Sequence, residues 1–431
     1  MVGHSGAQRR LRAALARTIH LVAVTAPSIG GRGGQFLALI ALAAAVSPIE
    51  YGRFVVIQML VVGVASVMGS SSAAAVNAAT ARVAGAVSIP VHVLLPALLR
   101  GRRRAFLIGA AASTLVVPIG YIVVSRTSPE SSELIALAAL GLLSGAMPLG
   151  DAVVAVASGS GRYLTGSTLD AGRAIVGAAA ALIAAVHFGP IAGGFGLVVA
   201  DVLLLAWMTV RAVAAGSTAP QVATTVPPRE GMVAGVLANV IGQVTQWVVL
   251  LAVQLAGGPA ALGVYGVASR FASVVTLAPI AFGKTVIGQL TDDSAFDRKW
   301  TPRSFIGMLT VLSSIAAGGA FAILIVGFPG LIDRYDGLVP VTAALLVGTI
   351  ARALLIGVGH VCVARRLWRT WVIADLASLI VTLAGAMTAW LVGAGVLGAV
   401  VAFGLGSVAG LAVRAIGAFR RTRTTSGSLT R

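Results

Sequence analysis

Long apolar stretches alternate with short polar segments along almost the whole chain. Each apolar stretch matches the ~20 residues that a helix needs to cross the hydrocarbon core of a bilayer. The pattern predicts an all-α integral membrane protein with about twelve transmembrane helices. The predicted spans are 21–46, 54–76, 104–125, 134–158, 164–187, 190–211, 231–256, 262–287, 304–328, 339–363, 369–392 and 395–418.

The composition excludes a water-soluble globular protein. Of the 431 residues, 58% are hydrophobic and 10% are charged, and the mean hydropathy is +0.98. An ordinary soluble domain has about 25% charged residues, so this chain has too few polar groups to cover a folded surface in water. Disordered and fibrous proteins are excluded on the same grounds.

The basic residues give the chain a formal net charge of +18. In a soluble protein this excess would suggest nucleic acid as a partner, but here most basic residues lie between alternate spans. This positive-inside distribution predicts the cell membrane as the location, an even number of spans, both termini in the cytoplasm and no nucleic-acid partner. The single Cys362, and histidines without metal-binding spacing, predict no disulfide, no metal and no cofactor.

A polar segment at 212–230 is the predicted cytoplasmic linker between two halves of the chain. It separates an N-terminal six-helix bundle at 1–211 from a C-terminal six-helix bundle at 231–418, and a basic cytoplasmic tail follows at 419–431. The stretch 84–99 contains two prolines and is followed by several arginines. We expect it to be an interfacial segment, with a partial crossing of the membrane as the alternative.

The two halves repeat a short motif. LALIALAAAVSPIEYGRFVV, which begins at Leu37, aligns without gaps with VVLLAVQLAGGPAALGVYGV, which begins at Val248. Proline ends a helix, glycine permits a tight turn, and an aromatic side chain is expected at the membrane interface. Six helices in each half predict a pseudo-two-fold axis along the membrane normal, with a substrate site between the halves. The alignment superposes three pairs: Pro48 and Pro259, Gly52 and Gly263, and Phe54 and Tyr265.

The stretches SPIEYGRF at 47–54 and GVYGVASRFASVVTLAPIAFGKTVIGQLTD at 263–292 resemble the polysaccharide flippase (Wzx-type) family. This family belongs to the multidrug/oligosaccharidyl-lipid/polysaccharide exporter superfamily, and its twelve-span layout covers essentially the whole chain. The resemblance implies a V-shaped pair of six-helix bundles that opens to each side of the membrane in turn. It also implies a lipid-linked glycan as cargo, with a polysaccharide polymerase and glycosyltransferases of the same pathway as partners beside the membrane lipids.

Four arginines lie roughly 10–20 Å from the ends of their predicted helices, at 1.5 Å per residue. A charged side chain at this depth costs several kcal/mol unless it faces a wet cavity or a partner. We expect them to bind the phosphates of the cargo, because guanidinium donates two parallel hydrogen bonds to phosphate. The alternative is structural pairing with aspartates. The arginines are Arg32, Arg173, Arg270 and Arg352, and the aspartates are Asp151, Asp170 and Asp201.

The three aspartates are also candidates for an ion-coupling site. Asp151 follows Pro148, where a broken helix is expected to leave carbonyl groups free, and Asp170 has the helical spacing to pair with Arg173. Near the helix ends, Lys284 and Arg414 are expected to extend towards the membrane surface. His360 and Asp375 are isolated in the sequence, and we expect both to have structural roles.

Polar side chains with helical spacing follow one another along the seventh predicted span, at Asn239, Gln243 and Gln246. Such a polar stripe lines a sugar-binding cavity or forms hydrogen bonds with a neighbouring helix.

Together these patterns favour a flippase that moves a polyprenyl-diphosphate-linked oligosaccharide from the cytoplasmic to the outer leaflet by alternating access, without catalytic residues. A multidrug or cation antiporter of the same fold is the first alternative. An integral-membrane glycan polymerase or ligase is the second, although such enzymes are expected to need a large external loop, which this sequence does not offer.

Overall fold

A computed structural model describes residues 3–83, 103–126, 128–214, 229–286, 290 and 301–425, and every regular element in these ranges is a helix. The helices are α1 (Gly3–Ala45), α2 (Pro48–Val83), α3 (Arg103–Ser125), α4 (Ser131–Ser144), α5 (Ala146–Gly159), α6 (Tyr163–Phe188), α7 (Pro190–Ala214), α8 (Arg229–Val286), α9 (Pro302–Gly327), α10 (Pro329–Arg334), α11 (Leu338–Ala364), α12 (Trp368–Leu391) and α13 (Gly395–Thr425).

The helices have the length of membrane spans. Ten helical stretches of the described chain are long and apolar enough to cross a membrane, and one of them, Val233–Gly283, covers most of α8. Counting the two arms of α8 separately and adding the shorter apolar helix of α3 gives the twelve crossings predicted from the sequence. The proposed interfacial stretch 84–99 and most of the linker at 212–230 lie outside the described residues.

Helix α2, which carries the repeat motif of the first half, begins at Pro48 and not at residue 54 as predicted. Ser47 caps α2: its hydroxyl oxygen accepts from the Glu50 backbone N–H at 3.2 Å, and the Glu50 carboxylate accepts from the Ser47 backbone N–H at 3.0 Å. Proline suits the first helical position because a backbone N–H there would have no acceptor within the helix, so the N–H that proline lacks is not missed. The local capping residues therefore start the helix before the apolar run does.

In the second half, α8 consists of two helical arms, 229–257 and 259–286, that meet at Gly258. Gly258 has φ 69° and ψ −163°, a conformation that residues with a side chain rarely adopt. Pro259 follows it at the first position of the second arm. The sequence predicts a loop at 257–261 between two spans. The structure replaces this loop with a single residue.

Pro48, Gly52 and their repeat partners meet each other across the molecule. A methyl group on Gly52 would overlap the carbonyl oxygen of Pro259, and a methyl group on Gly263 would overlap the carbonyl oxygen of Pro48. This reciprocal contact is what a pseudo-two-fold axis requires, because equivalent residues of the two halves then exchange places. We call this end of the bundle, where α1 meets α2 and the two arms of α8 meet, the turn end.

The aromatic residues of the repeat are part of the protein core, not of the membrane interface as predicted. Phe54 and Tyr265 are both buried, because the two halves pack against each other at the turn end. Nearby, Phe271 of α8 stacks edge to face with Phe36 of α1 at a ring-centroid distance of 5.2 Å. Such aromatic pairs contribute about 0.5–1.5 kcal/mol each beyond the area that they bury.

Candidate functional site

A polar pocket of about 140 Å³ lies within the first half of the chain, between α1, α2, α5, α6 and α7. Its walls carry five charged side chains, and Gln35, Gln58 and Ser66 add uncharged polar groups. All five are among the residues singled out in the sequence: Arg32, Asp151, Asp170, Arg173 and Asp201. Three carboxylates and two guanidinium groups give the pocket a net charge of −1 when all five are ionised.

Arg173 of α6 is bound by two of the aspartates. Its Nε and Nη2 lie 2.6 and 2.5 Å from Oδ1 of Asp201 on α7, and its Nη1 lies 3.1 Å from Oδ1 of Asp151 on α5. The guanidinium also donates to the backbone carbonyl of Met147 at 3.3 Å. Gly150 makes room for it, since a methyl group there would lie 2.7 Å from the Arg173 Cζ.

The helix break expected near Pro148 places these ligands. The predicted span 134–158 is divided into α4 and α5 at Gly145, three residues before the proline. Pro148 has no N–H and its ring interferes with the preceding turn, so a continuous helix is disfavoured there. The break turns α5 so that the Met147 carbonyl and the Asp151 carboxylate both face Arg173.

Asp170 forms its ion pair with Arg32 of α1, not with Arg173 as the helical spacing suggests. The Arg32 Nη2 lies 3.1 Å from Asp170 Oδ1, and the Ser28 hydroxyl, one turn earlier on α1, donates to Asp170 Oδ2. The two helices come close because α1 has glycine at position 31, where a side chain would collide with Ala171 of α6. Asp170 therefore pairs across two helices.

Arg270 lies outside this pocket, on the second arm of α8. Its Nη2 donates to the side-chain oxygen of Gln58 on α2, and its Nε lies 3.4 Å from the hydroxyl of Tyr51, also on α2. Among the described residues it forms no ion pair. Arg270 therefore connects the two halves through neutral groups.

Arg352 of α11 faces the first arm of α8, where a methyl group on Gly242 would lie 3.5 Å from its Nη2. In the described part of the chain it forms no ion pair either. Arg414 does have one: its Nη2 lies 2.7 Å from Oδ1 of Asp375. Arg414 is 2% exposed, so it does not extend to the membrane surface as expected, because it also donates to the carbonyl of Leu355.

The polar stripe on α8 contacts α2. The Asn239 Nδ2 donates to the backbone carbonyl of Ser66 at 2.7 Å, and the Gln243 Nε2 donates to the Ser66 hydroxyl at 2.6 Å. Gln246 is half-buried one turn further along α8. For Asn239 and Gln243, the structure shows the second of the two predicted roles, hydrogen bonding to a neighbouring helix.

Sequence reasoning missed the contribution of α2. Tyr51, Gln58 and Ser66 bind polar groups of the second half, and Gln58 and Ser66 also line the pocket of the first half. A single signal was available, the polar Gln58 within the apolar run FVVIQMLVV. An uncharged polar side chain costs less free energy within a membrane span than an arginine does, so it is a weaker sign of a functional site.

Solved structures share this arrangement of helices. A point mutant of the Vibrio cholerae MATE transporter VcmN matches with a TM-score of 0.67 and 12% identity over 96% of this chain and 98% of the other. A multidrug resistance MATE family transporter of the MOP superfamily, in an outward-facing conformation, matches with a TM-score of 0.65 and 13% identity over 95% and 96% of the two chains.

A third structure, a MOP superfamily transporter from Pyrococcus furiosus for which a reversed polarity of the binding pocket suggests a different function, matches with a TM-score of 0.57 and 13% identity over 94% of this chain and 95% of the other. This chain has the fold of MATE transporters. No protein-family model matches the sequence, and no curated protein does so either. Identities this low show the fold, and the activity has to be argued from the side chains.

Proposed function

We propose that the protein is an alternating-access exporter of small organic solutes, driven by an ion that binds in the polar pocket of the first half. The observation that carries the proposal is the set of three carboxylates and two guanidinium groups within helices of membrane length, in a chain with the fold of MATE transporters. Intramembrane ionisable groups are costly, and they mark the routes of ions or protons in transporters.

The charge balance of the pocket favours a cation as the driving ion. With all five groups ionised, the pocket carries a net charge of −1 inside the helical bundle. A proton on one aspartate, or a bound monovalent cation, would neutralise it. The pocket has a volume of about 140 Å³, which accommodates a proton or a small ion.

An exporter of small solutes fits better than the lipid-linked glycan flippase favoured by the sequence. Arg32 and Arg173, two of the four arginines expected to hold the cargo phosphates, are engaged by aspartates. Two structures with this fold are described as multidrug transporters, which also supports the first alternative. The flippase is kept as the second candidate because Arg270 and Arg352 have no carboxylate partner in the described chain.

Reconstitution into proteoliposomes with an imposed pH or Na⁺ gradient tests the proposal. We expect gradient-driven movement of a cationic dye, rhodamine 6G, and loss of this movement in Asp201→Asn, which changes the charge of the pocket. Asp333→Asn is the matched control, because Asp333 is exposed and remote from the pocket. Movement of a fluorescent polyprenyl-diphosphate lipid without movement of the dye would favour the flippase. Movement of neither compound would reject both.

A further inference from the structure

Gln58 lies between the charged pocket and Arg270, and we infer that it is the positioning residue through which the charge of the pocket controls the contact between the two halves. The inference rests on the proposed function, since it assigns a route for the effect of the driving ion. Nothing in the sequence motifs points to Gln58 in this role, because its two sets of neighbours come from different halves of the chain.

The position of Gln58 on α2 gives it both sets of neighbours. The pocket is lined on this side by Gln58, Val62 and Ser66, which are spaced at one and two turns and therefore share one face of the helix. The side-chain oxygen of Gln58 accepts from the Arg270 guanidinium of the second half. The same side chain also lines the pocket.

Ser66 repeats the arrangement two turns away. Ser66 lines the pocket, its hydroxyl accepts from Gln243, and its carbonyl accepts from Asn239, both of the second half. One face of α2 is thus shared between the pocket and the contact with α8. A change of position of α2 relative to the pocket has to change both contacts, because a helix moves as a rigid element.

The charges on the two sides of Gln58 have opposite signs. Arg270 contributes +1 without a carboxylate partner in the described chain, and the pocket behind Gln58 contributes −1. These charges attract each other across the amide when the aspartates are ionised, and the attraction disappears when the pocket takes up one positive charge. Binding of a proton therefore weakens the hold of the first half on Arg270.

The ionisable groups that face the site come from six helices. α1 contributes Arg32, α5 contributes Asp151, α7 contributes Asp201, and α8 contributes Arg270 and the Tyr265 hydroxyl. α6 contributes Asp170 and Arg173, and α2 contributes the Tyr51 hydroxyl. Arginine is not deprotonated in proteins, so a proton taken up by the pocket resides on a carboxylate. Acidification is then expected to separate the halves at the turn end.

Pulsed electron paramagnetic resonance on the full chain tests this prediction. Ile49 and Ala260 are exposed, and they are equivalent in the two repeats because they directly follow Pro48 and Pro259. Spin labels at these positions, in a Cys362→Ser background, report the separation of the turn end. In the wild type we expect a shift towards longer distances between pH 8 and pH 5, by about tenfold in the ratio of the two populations, within the range of known couplings.

Gln58→Leu is expected to lose this pH response, and Gln58→Asn, which keeps an amide but is one methylene shorter, is expected to lose it too. Gln254→Leu is the matched control. It removes another hydrogen bond between the halves, from Gln254 Nε2 to the Ser125 carbonyl at 3.5 Å, outside the pocket. We expect the Gln254 variant to keep the pH response.

Three outcomes would overturn the inference: no pH response in the wild type, an unchanged response in both Gln58 variants, or an equal loss of the response in the Gln254 control. Failure of the inference is distinguishable from failure of the proposed function. A dye-transporting protein whose turn end ignores pH rejects the role of Gln58 alone. A turn end that responds to pH through Gln58, in a protein that moves no dye, rejects the proposed function alone.

Discussion

Arg173 directs two nitrogens, Nε and Nη2, at the same carboxylate oxygen of Asp201, at 2.6 and 2.5 Å. With Asp151 at 3.1 Å on its other side, this guanidinium joins α5, α6 and α7. Each charge in such a buried network is tolerated because the others compensate for it, so removal of one member leaves a buried charge without a partner.

Arg173→Met is therefore expected to destabilise the protein by about 3–5 kcal/mol, because Asp151 and Asp201 would then face each other without a cation between them. Thermal unfolding in detergent measures this effect. Adding Asp201→Asn to the variant removes one of the two opposed charges and should restore part of the loss. Arg53→Met is the control, since Arg53 is exposed and its replacement should change stability by less than about 0.5 kcal/mol. Equal effects of Arg173→Met and Arg53→Met would refute the role of the network.

Gly52→Ala is expected to force the halves apart at the turn end, because the added methyl group overlaps the Pro259 carbonyl oxygen. Overpacking of this kind typically costs about 1–3 kcal/mol. Gly263→Ala should have the same effect, since the contact is reciprocal. The distance between labels at positions 49 and 260 measures the separation. Gly330→Ala, which has open space around the added methyl group, should leave it unchanged. A separation in one glycine variant without the other would contradict the two-fold relation.

Tyr335→Phe is expected to cost about 0.5–1.5 kcal/mol, because it removes a hydrogen bond of 2.8 Å from the Tyr335 hydroxyl to the Ala43 carbonyl. Burial raises the pKa of Tyr335, helped by Tyr51 and opposed by Arg334. Since ionisation is harder in the folded state, this contribution to stability is fully present below the unfolded pKa of about 10 and is lost as the pH rises above it. Wild-type protein should therefore lose more thermal stability than Tyr335→Phe between pH 9 and pH 11.

Asp375→Asn and Arg352→Gln are expected to have different effects on stability. Asp375→Asn leaves the buried Arg414 without its carboxylate and should cost about 3–5 kcal/mol. Arg352→Gln removes a cation that has no ion pair in the described chain, so thermal stability should stay the same or rise. Transport assays on this second variant show what Arg352 contributes. A large loss of stability in Arg352→Gln would mean that its charge supports the fold.

The number of membrane-length stretches follows from the sequence, because the length of an apolar run and the prolines and glycines that end it are local properties. The same holds for the repeat. Pro48, Gly52 and their partners at 259 and 263 are equivalent in the alignment, and the structure brings them into reciprocal contact. Hydrophobicity does not fix the exact helix starts, since the capping residues Ser47 and Glu50 begin α2 earlier than its apolar run.

The partners of the charged residues were decided only by the tertiary structure. The sequence marked Arg32, Arg173 and the three aspartates as the groups that matter, because each would be costly alone in a membrane. It could not show that Asp170 pairs with Arg32, 138 positions away, or that Arg270 reaches Gln58, 212 positions away. An ion pair depends on which helices are neighbours and how they are rotated, and that is fixed by packing over the whole bundle.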